Sequence, residues 1–85
     1  MIEFEYKITD EIGLHARPAG MLVKEAKKYS CSVTLCANGK ESDATRLMSV
    51  MAMCVKCGTL VKVRIEGKDE QICAEELKSF FEKNL

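Results

Sequence analysis

The sequence is poor in several features that mark common classes of protein. It has no tryptophan, one histidine, one proline, two tyrosines and three phenylalanines. It also lacks an excess of either charge, because its 13 Lys and Arg residues are balanced by 13 Asp and Glu residues. A duplex-binding module needs a basic excess to neutralise phosphates. The charge balance therefore argues against nucleic acid as a partner.

Segments that would insert the chain into a membrane or export it are also missing. No apolar run approaches the roughly 18 residues that a spanning helix needs. The first ten residues, MIEFEYKITD, alternate apolar and charged side chains and lack the basic and apolar blocks of a signal peptide. We therefore expect a cytoplasmic protein without direct membrane insertion. Its 85 residues suit a single domain, 1–85, with one modest core.

The apolar pattern predicts seven secondary-structure elements. Period-2 alternation predicts strands at residues 2–8, 31–36, 40–44 and 60–66, with a tight turn at Asn38-Gly39. Spacings of three and four predict helices beginning near Ala16–Pro18, at Arg46 and after Asp69. One-sided apolar patterns in this order predict an α+β fold, an antiparallel sheet with helices packed on one face.

The predicted helices also carry expectations about individual side chains. The first should bury Ala19, Leu22, Val23, Ala26 and Tyr29, and the last should bury Cys73, Leu77, Phe80 and Phe81. Thr45 or Asp43 should cap the second, which should run to about Met53.

The single histidine and the single proline fall in one short stretch, GLHARPAG at residues 13–20. Pro18 suits the first turn of a helix, where a missing N–H costs nothing. His15 would then lie beside free N–H groups and the positive end of the helix dipole, which favour a neutral, nucleophilic ring and an attached anion. Arg17 adds a planar donor fork that fits phosphate oxygens.

This arrangement predicts a group that accepts a phosphoryl group and passes it on. Hydrolysis would also need a base that activates water and a closed pocket, and neither is evident in the sequence. The structural alternative is that His15 is an ordinary loop or N-cap residue.

The second helix carries more apolar side chains than one buried face requires. One reading places Leu47, Val50, Met51 and Met53 all in the core, and for Val50 we expect this. The alternative is that part of this helix forms an exposed apolar patch, where adaptable methionines suit several partners. Gly20 weakens its helix by about 1 kcal/mol relative to alanine, so either drift or a close approach by a partner or neighbouring element would account for it.

The stretch GLHARPA resembles the active-site segment of the HPr family, the histidine-containing phosphocarriers of the bacterial phosphoenolpyruvate:sugar phosphotransferase system. The likeness continues through KEAKKYSCSVTL, NGK, LMSVMAM and GTLVKVRIEG. It implies an open-faced β-sandwich with a four-stranded antiparallel sheet and three helices. It also implies that His15 takes a phosphoryl group on Nδ1 from enzyme I and delivers it to IIA domains of sugar permeases.

Further expectations follow from this resemblance. Arg17 would be the electrostatic partner of the phosphoryl group, with Ala16 and Pro18 completing the phosphate-binding start of the helix. The docking surface carries over to Gly20, Lys24, Leu47, Met48 and Met51. Lys24 and Lys27 share a helix face with Arg17 and could steer acidic partners. We expect a monomeric stoichiometric carrier that is not an enzyme and uses no cofactor or metal.

Arg46 departs from the pattern of many relatives, which have a serine there that a dedicated kinase phosphorylates. An arginine has no hydroxyl, so this regulation is not carried over, and the charge is reversed. We place Arg46 in the partner interface, where it could help bind an acidic partner or a phosphate.

The five cysteines are a second departure. An odd number without a secretion signal indicates reduced thiols that pack as small hydrophobes or lie idle. Cys54 and Cys57 form one C-x-x-C at the end of the second helix, where the dipole does not activate thiols and two further zinc ligands are missing. A thiol redox or zinc module stays open as the less favoured alternative, beside a regulatory docking module that binds partner proteins without transferring phosphate.

Overall fold

The computed structural model describes all 85 residues as one four-stranded sheet and three helices. In chain order the elements are β1 (Ile2–Lys7), α1 (Ala16–Ala26), β2 (Cys31–Ala37), β3 (Lys40–Asp43), α2 (Leu47–Ala52), β4 (Leu60–Gly67) and α3 (Glu70–Asn84). The strands lie in the order β1-β4-β2-β3, and every neighbouring pair is antiparallel. The predicted α+β open-faced sandwich is confirmed. None of the helices combines the length and apolar character needed to cross a bilayer.

The sheet has one apolar and one polar face because its side chains alternate. Val63 of β4 lies opposite Phe4 of β1 on one side and opposite Leu35 of β2 on the other, and this row faces the helices. The opposite face carries charged side chains, and Arg64 Nη2 lies 2.7 Å from Glu41 Oε2 across it. The core therefore lies between one sheet face and the helices.

The aromatic side chains of the core gather around Phe81 of α3, which is fully buried. Its ring centroid lies 5.9 Å from that of Phe4 and 5.6 Å from that of Tyr6, both on β1. Phe80, predicted to line the same face, is half-buried and packs edge-on against Phe81 with centroids 6.2 Å apart. These contacts fix α3 over β1, so that the end of α3 reaches the loop that follows β1.

Some predicted boundaries are wrong. The first helix ends at Ala26, so Tyr29 lies beyond it, half-buried, with its hydroxyl donating to Glu25 Oε2 at 3.0 Å. β1 and β3 each end one residue earlier than predicted, while β2 and β4 each run one residue further.

The second helix is shorter than predicted at both ends, with Arg46 and Met53 as its capping residues. Neither predicted cap occupies the N-cap position. Asp43 instead closes the turn before the helix, where its Oδ1 accepts from the Thr45 N–H at 2.9 Å and from Thr45 Oγ1 at 2.6 Å.

Gly13 and Gly20 differ in the space that a side chain at their positions would have. Gly13 has φ +84°, and a Cβ there would lie 2.5 Å from the Val55 carbonyl oxygen and 2.7 Å from Lys56 Cα. Gly20 lies inside α1, and a Cβ there would meet nothing within 4 Å. No neighbouring element of the protein therefore requires a glycine at position 20.

These surroundings predict opposite effects of the same substitution. Gly13→Ala should lower the free energy of unfolding by about 2 kcal/mol or more, because it combines a left-handed backbone with main-chain overlap. Gly20→Ala should raise it by up to about 1 kcal/mol, because alanine favours a helix interior. Urea denaturation of both variants measures these two changes in the free energy of unfolding. A Gly13→Ala variant as stable as the parent would contradict the close packing at Gly13.

Candidate functional site

The loop between β1 and α1 is fixed along one side by the segment that precedes β4. The Ile8 N–H donates to the Thr59 carbonyl at 2.9 Å, and the Gly58 N–H donates back to the Ile8 carbonyl at 2.8 Å. At the other end of the loop, the Leu14 N–H donates to the Val55 carbonyl at 2.9 Å. These main-chain bonds set the position of the residue that follows Leu14, which is His15.

The end of α3 fixes the loop from a second side. The main-chain oxygen of Leu85 accepts from the Thr9 N–H at 2.6 Å, the Asp10 N–H at 2.8 Å and Thr9 Oγ1 at 3.0 Å. Sequence reasoning missed Thr9, Asp10, Asn84 and Leu85. Residues 9 and 85 are joined only by the fold, so no local pattern signals this contact.

His15 occupies the N-cap position of α1, with an extended backbone at φ −99° and ψ −175°. Its carbonyl accepts from the Ala19 N–H at 2.9 Å, but its imidazole makes no capping hydrogen bond. The side chain is half-buried and no other protein group bonds to it. The histidine is therefore at a helix cap by position, while its ring remains unused by the fold.

The first turn of α1 leaves two main-chain donors next to this ring. The N–H groups of Ala16 and Arg17 donate no hydrogen bond within the protein. Pro18 has no N–H, and the Ala19 N–H is taken by the His15 carbonyl. Ala16 and Arg17 can therefore both donate to an anion at His15, whereas Pro18 contributes only its preset helical φ.

The structure brings His15 and Arg17 together at a shallow surface hollow of about 250 Å³. Its lining residues are Asp10, His15, Arg17, Pro18, Met21 and Asn84. The Arg17 guanidinium is exposed and has no ion-pair partner in the protein. Met21 was missed as a site residue, although its spacing of four from Arg17 on the same helix would have indicated it. The hollow thus combines an unengaged imidazole with a free cation.

The residues expected at a docking surface lie at the surface of α1 and α2. Met48 is 79% exposed, Leu47 39% and Met51 38%, whereas Val50 and Met53 are buried. On α1, which packs against α2, Lys24 is exposed and Gly20 is half-exposed, and Lys27 is exposed at the C-cap. An apolar patch of α2 therefore lies beside a basic surface of α1.

Arg46 is not one of the residues that line the hollow containing His15. It is the N-cap residue of α2, with a side chain that is 77% exposed. Its Nε lies 3.9 Å from Asp43 Oδ2, the only carboxylate that it meets. The exposed guanidinium is thus able to reach a partner.

The five thiols differ in exposure. Cys73 is buried and Cys31 and Cys36 are half-buried, but Cys54 and Cys57 are exposed beyond the end of α2. Val55, between them, is buried, and Lys56 is exposed beside Cys57. No group of three His, Cys, Asp or Glu side chains is arranged to hold a metal ion.

Comparison with known proteins gives the family. The family profile described as the PTS HPr component phosphorylation site matches residues 2–83. The chain belongs to the HPr family. It is 42% identical over 78 residues to the phosphocarrier protein HPr of Mycoplasma capricolum, covering 92% of this chain and 88% of the relative. It is accordingly a phosphocarrier of the phosphotransferase system.

Solved structures of HPr proteins share the fold. HPr of Thermoanaerobacter tengcongensis superposes with a TM-score of 0.91 at 34% identity, over 96% of this chain and 92% of that one. Crh of Bacillus subtilis, solved as a dimer with a swapped domain, superposes with a TM-score of 0.77 at 32% identity, over 100% and 98%. Members of the family therefore include at least one dimer.

Asp43 yields a pH-dependent prediction. Hydrogen bonds from the Thr45 side chain and backbone, and then the Arg46 charge, hold the pKa of the Asp43 carboxyl below its usual 3.8. The fold thus prefers the ionised form, so its stabilisation is present above pH 3.8 and is lost as pH falls through the lowered pKa. Asp43→Ala should lower the free energy of unfolding at pH 7 by about 1 kcal/mol or less.

Urea denaturation at several pH values measures the difference in free energy of unfolding between the parent and Asp43→Ala. This difference should vanish at low pH. Thr45→Val, which removes only the hydroxyl donor, should reproduce part of it. An equal loss at pH 7 and pH 2 would show that Asp43 acts through packing and not through its charge.

Proposed function

We propose that this protein takes a phosphoryl group, originating from phosphoenolpyruvate, from enzyme I onto Nδ1 of His15 and passes it to IIA domains of sugar permeases. The observation that carries the proposal is the imidazole of His15, which has no partner in the fold and adjoins two free N–H groups. A nucleophile left unengaged beside anion donors is what reversible phosphoryl transfer requires.

The groups at the start of α1 account for each step of the phosphoryl transfer. The Nδ1 lone pair attacks phosphorus while the bond from phosphorus to the donor's leaving atom breaks, and Nε2 keeps its proton. The N–H groups of Ala16 and Arg17 donate to the phosphoryl oxygens, and the Arg17 guanidinium offsets their charge. The same donors can release the group to the next acceptor, because they stabilise it without forming a covalent bond.

The shape of the hollow favours a carrier over a hydrolase. A hydrolase organises water in a closed pocket with a base, whereas this hollow is shallow and open. Asp10 is the one carboxylate that lines it, and its Oδ1 accepts from the Ile12 N–H at 2.9 Å. An open site also allows two different proteins to reach His15 in turn.

We assign partner docking to the exposed side chains of α1 and α2. Leu47, Met48 and Met51 supply the apolar centre, and Gly20 permits close approach. The basic side chains around this patch, Arg17, Lys24, Lys27 and Arg46, would favour acidic partner surfaces. The chain acts as one monomeric carrier domain, because docking requires no second copy.

The first test is phosphorylation with phosphoenolpyruvate and enzyme I. The protein should acquire one acid-labile phosphoryl group on His15, seen by mass spectrometry of the intact chain and its peptides. His15→Ala should abolish transfer, and Arg17→Ala should slow it about 100-fold. Both variants should unfold in urea like the parent, because neither side chain bonds within the fold.

Phosphorylation that persists in His15→Ala would place the site elsewhere. Partner binding without any phosphorylation of the parent would favour a docking module that does not transfer phosphate.

A second test compares two exposed hydrophobic residues. Met48→Asp should raise KM for transfer from enzyme I by about 10-fold or more with little change in the maximal rate, because it removes binding shared by ground and transition states. Ile72→Asp is the matched control, since Ile72 is 57% exposed but lies about 18 Å along α3 from Asn84. Equal effects of the two substitutions would contradict the docking assignment.

A further inference from the structure

The fold brings together two cysteines that are far apart in sequence. Cys31 begins β2, and Cys73 lies in the first turns of α3. The Lys68 N–H donates to the Ser30 carbonyl at 3.1 Å, and the Ser30 N–H donates to Asp69 Oδ2 at 3.0 Å. One turn later the Cys73 N–H donates to the Asp69 carbonyl at 2.9 Å. These bonds align the start of β2 with the start of α3 and bring Cys31 close to Cys73, which lies one helical turn after Asp69.

The backbone around the pair is tightly packed. Gly67 pairs with Cys31 across β2 and β4, and a Cβ on Gly67 would lie 2.7 Å from Cys31 Cα. Cys73 is completely buried, while Cys31 is half-buried against the core.

The two thiols differ in access and reactivity. Cys31 borders a surface hollow of about 410 Å³, so a small molecule can approach it. Burial, and then contact with Cys31, raises the pKa of the Cys73 thiol to about 12, with Asp69 and Glu25 adding negative charge nearby. Cys31 is therefore the thiol that an external reagent meets first.

We propose that Cys31 and Cys73 form a dithiol that closes to a disulfide by exchange with a small disulfide such as oxidised glutathione. The Cys31 thiolate attacks one glutathione sulfur, the glutathione S–S bond breaks, and one glutathione leaves as a thiolate. The Cys73 sulfur then attacks the Cys31 sulfur as its proton passes to the departing glutathione, and the second glutathione is released. The protein loses two electrons and two protons, which the two glutathione molecules gain.

The new bond would join β2 to α3 and restrict the unfolded chain. This pair is distinct from the C-x-x-C, the redox candidate suggested by spacing. Cys57 Sγ points toward the Thr9 carbonyl at 3.8 Å, and Cys54 has φ +54°. The fold instead brings together Cys31 and Cys73, so oxidation would act on the stability of the carrier through α3.

The test uses the full chain with the other three cysteines replaced, as Cys36→Ser, Cys54→Ser and Cys57→Ser together. Incubation of the folded protein with oxidised glutathione should remove two hydrogens from the intact mass, and peptide mapping should link residues 31 and 73. The melting temperature should rise by about 10 °C and return to its starting value on reduction with dithiothreitol.

Two further variants serve as controls. Adding Cys31→Ser, or alternatively Cys73→Ala, should prevent the intramolecular link, with circular dichroism verifying that each variant is folded. Full alkylation of both thiols after oxidation, or an end point with glutathione still attached to Cys31, would overturn the proposal. So would an unmutated protein whose only link joins Cys54 to Cys57.

Discussion

A close main-chain contact determines where His15 lies. Gly13 approaches the Val55 carbonyl and Lys56 so closely that a Cβ would overlap both, and the next N–H, that of Leu14, bonds to the same carbonyl at 2.9 Å. His15 then begins α1 directly. Because this contact involves only backbone atoms, it positions the imidazole without engaging the imidazole itself.

In the rest of the site, too, the groups that hold the loop in place are different from the groups that would react. The loop is bonded to the segment before β4 on one side and to Leu85 on the other. The groups that would meet a phosphoryl group, namely the His15 ring, two N–H groups and the Arg17 guanidinium, make no hydrogen bonds within the protein. A preorganised set of free donors needs little rearrangement when the charge arrives.

Local sequence patterns were sufficient for the parts of the structure that local physics decides. Strand alternation, the spacing of apolar residues in α1, and GLHARPAG with its helix-starting proline predicted the elements and placed His15 beside Arg17. The errors arose where tertiary contacts dominate. Tyr29 has the helical spacing but lies beyond the end of α1, and the N-cap of α2 is Arg46 instead of Thr45 or Asp43.

The contacts that sequence reasoning could not reach are non-local. Asp10 and Asn84 meet at the hollow because Phe81 packs α3 over β1, and Cys31 lies close to Cys73 because Ser30 bonds to Asp69. Such pairings depend on the assembled fold, and no spacing along the chain indicates them.

Nuclear magnetic resonance of the uniformly ¹⁵N-labelled protein, before and after phosphorylation, tests the central claim most directly. Phosphorus should couple to Nδ1 of His15, and the largest downfield amide proton shifts should be those of Ala16 and Arg17, the two free donors at the start of α1. Coupling to Nε2, or unchanged Ala16 and Arg17 amides, would contradict the account.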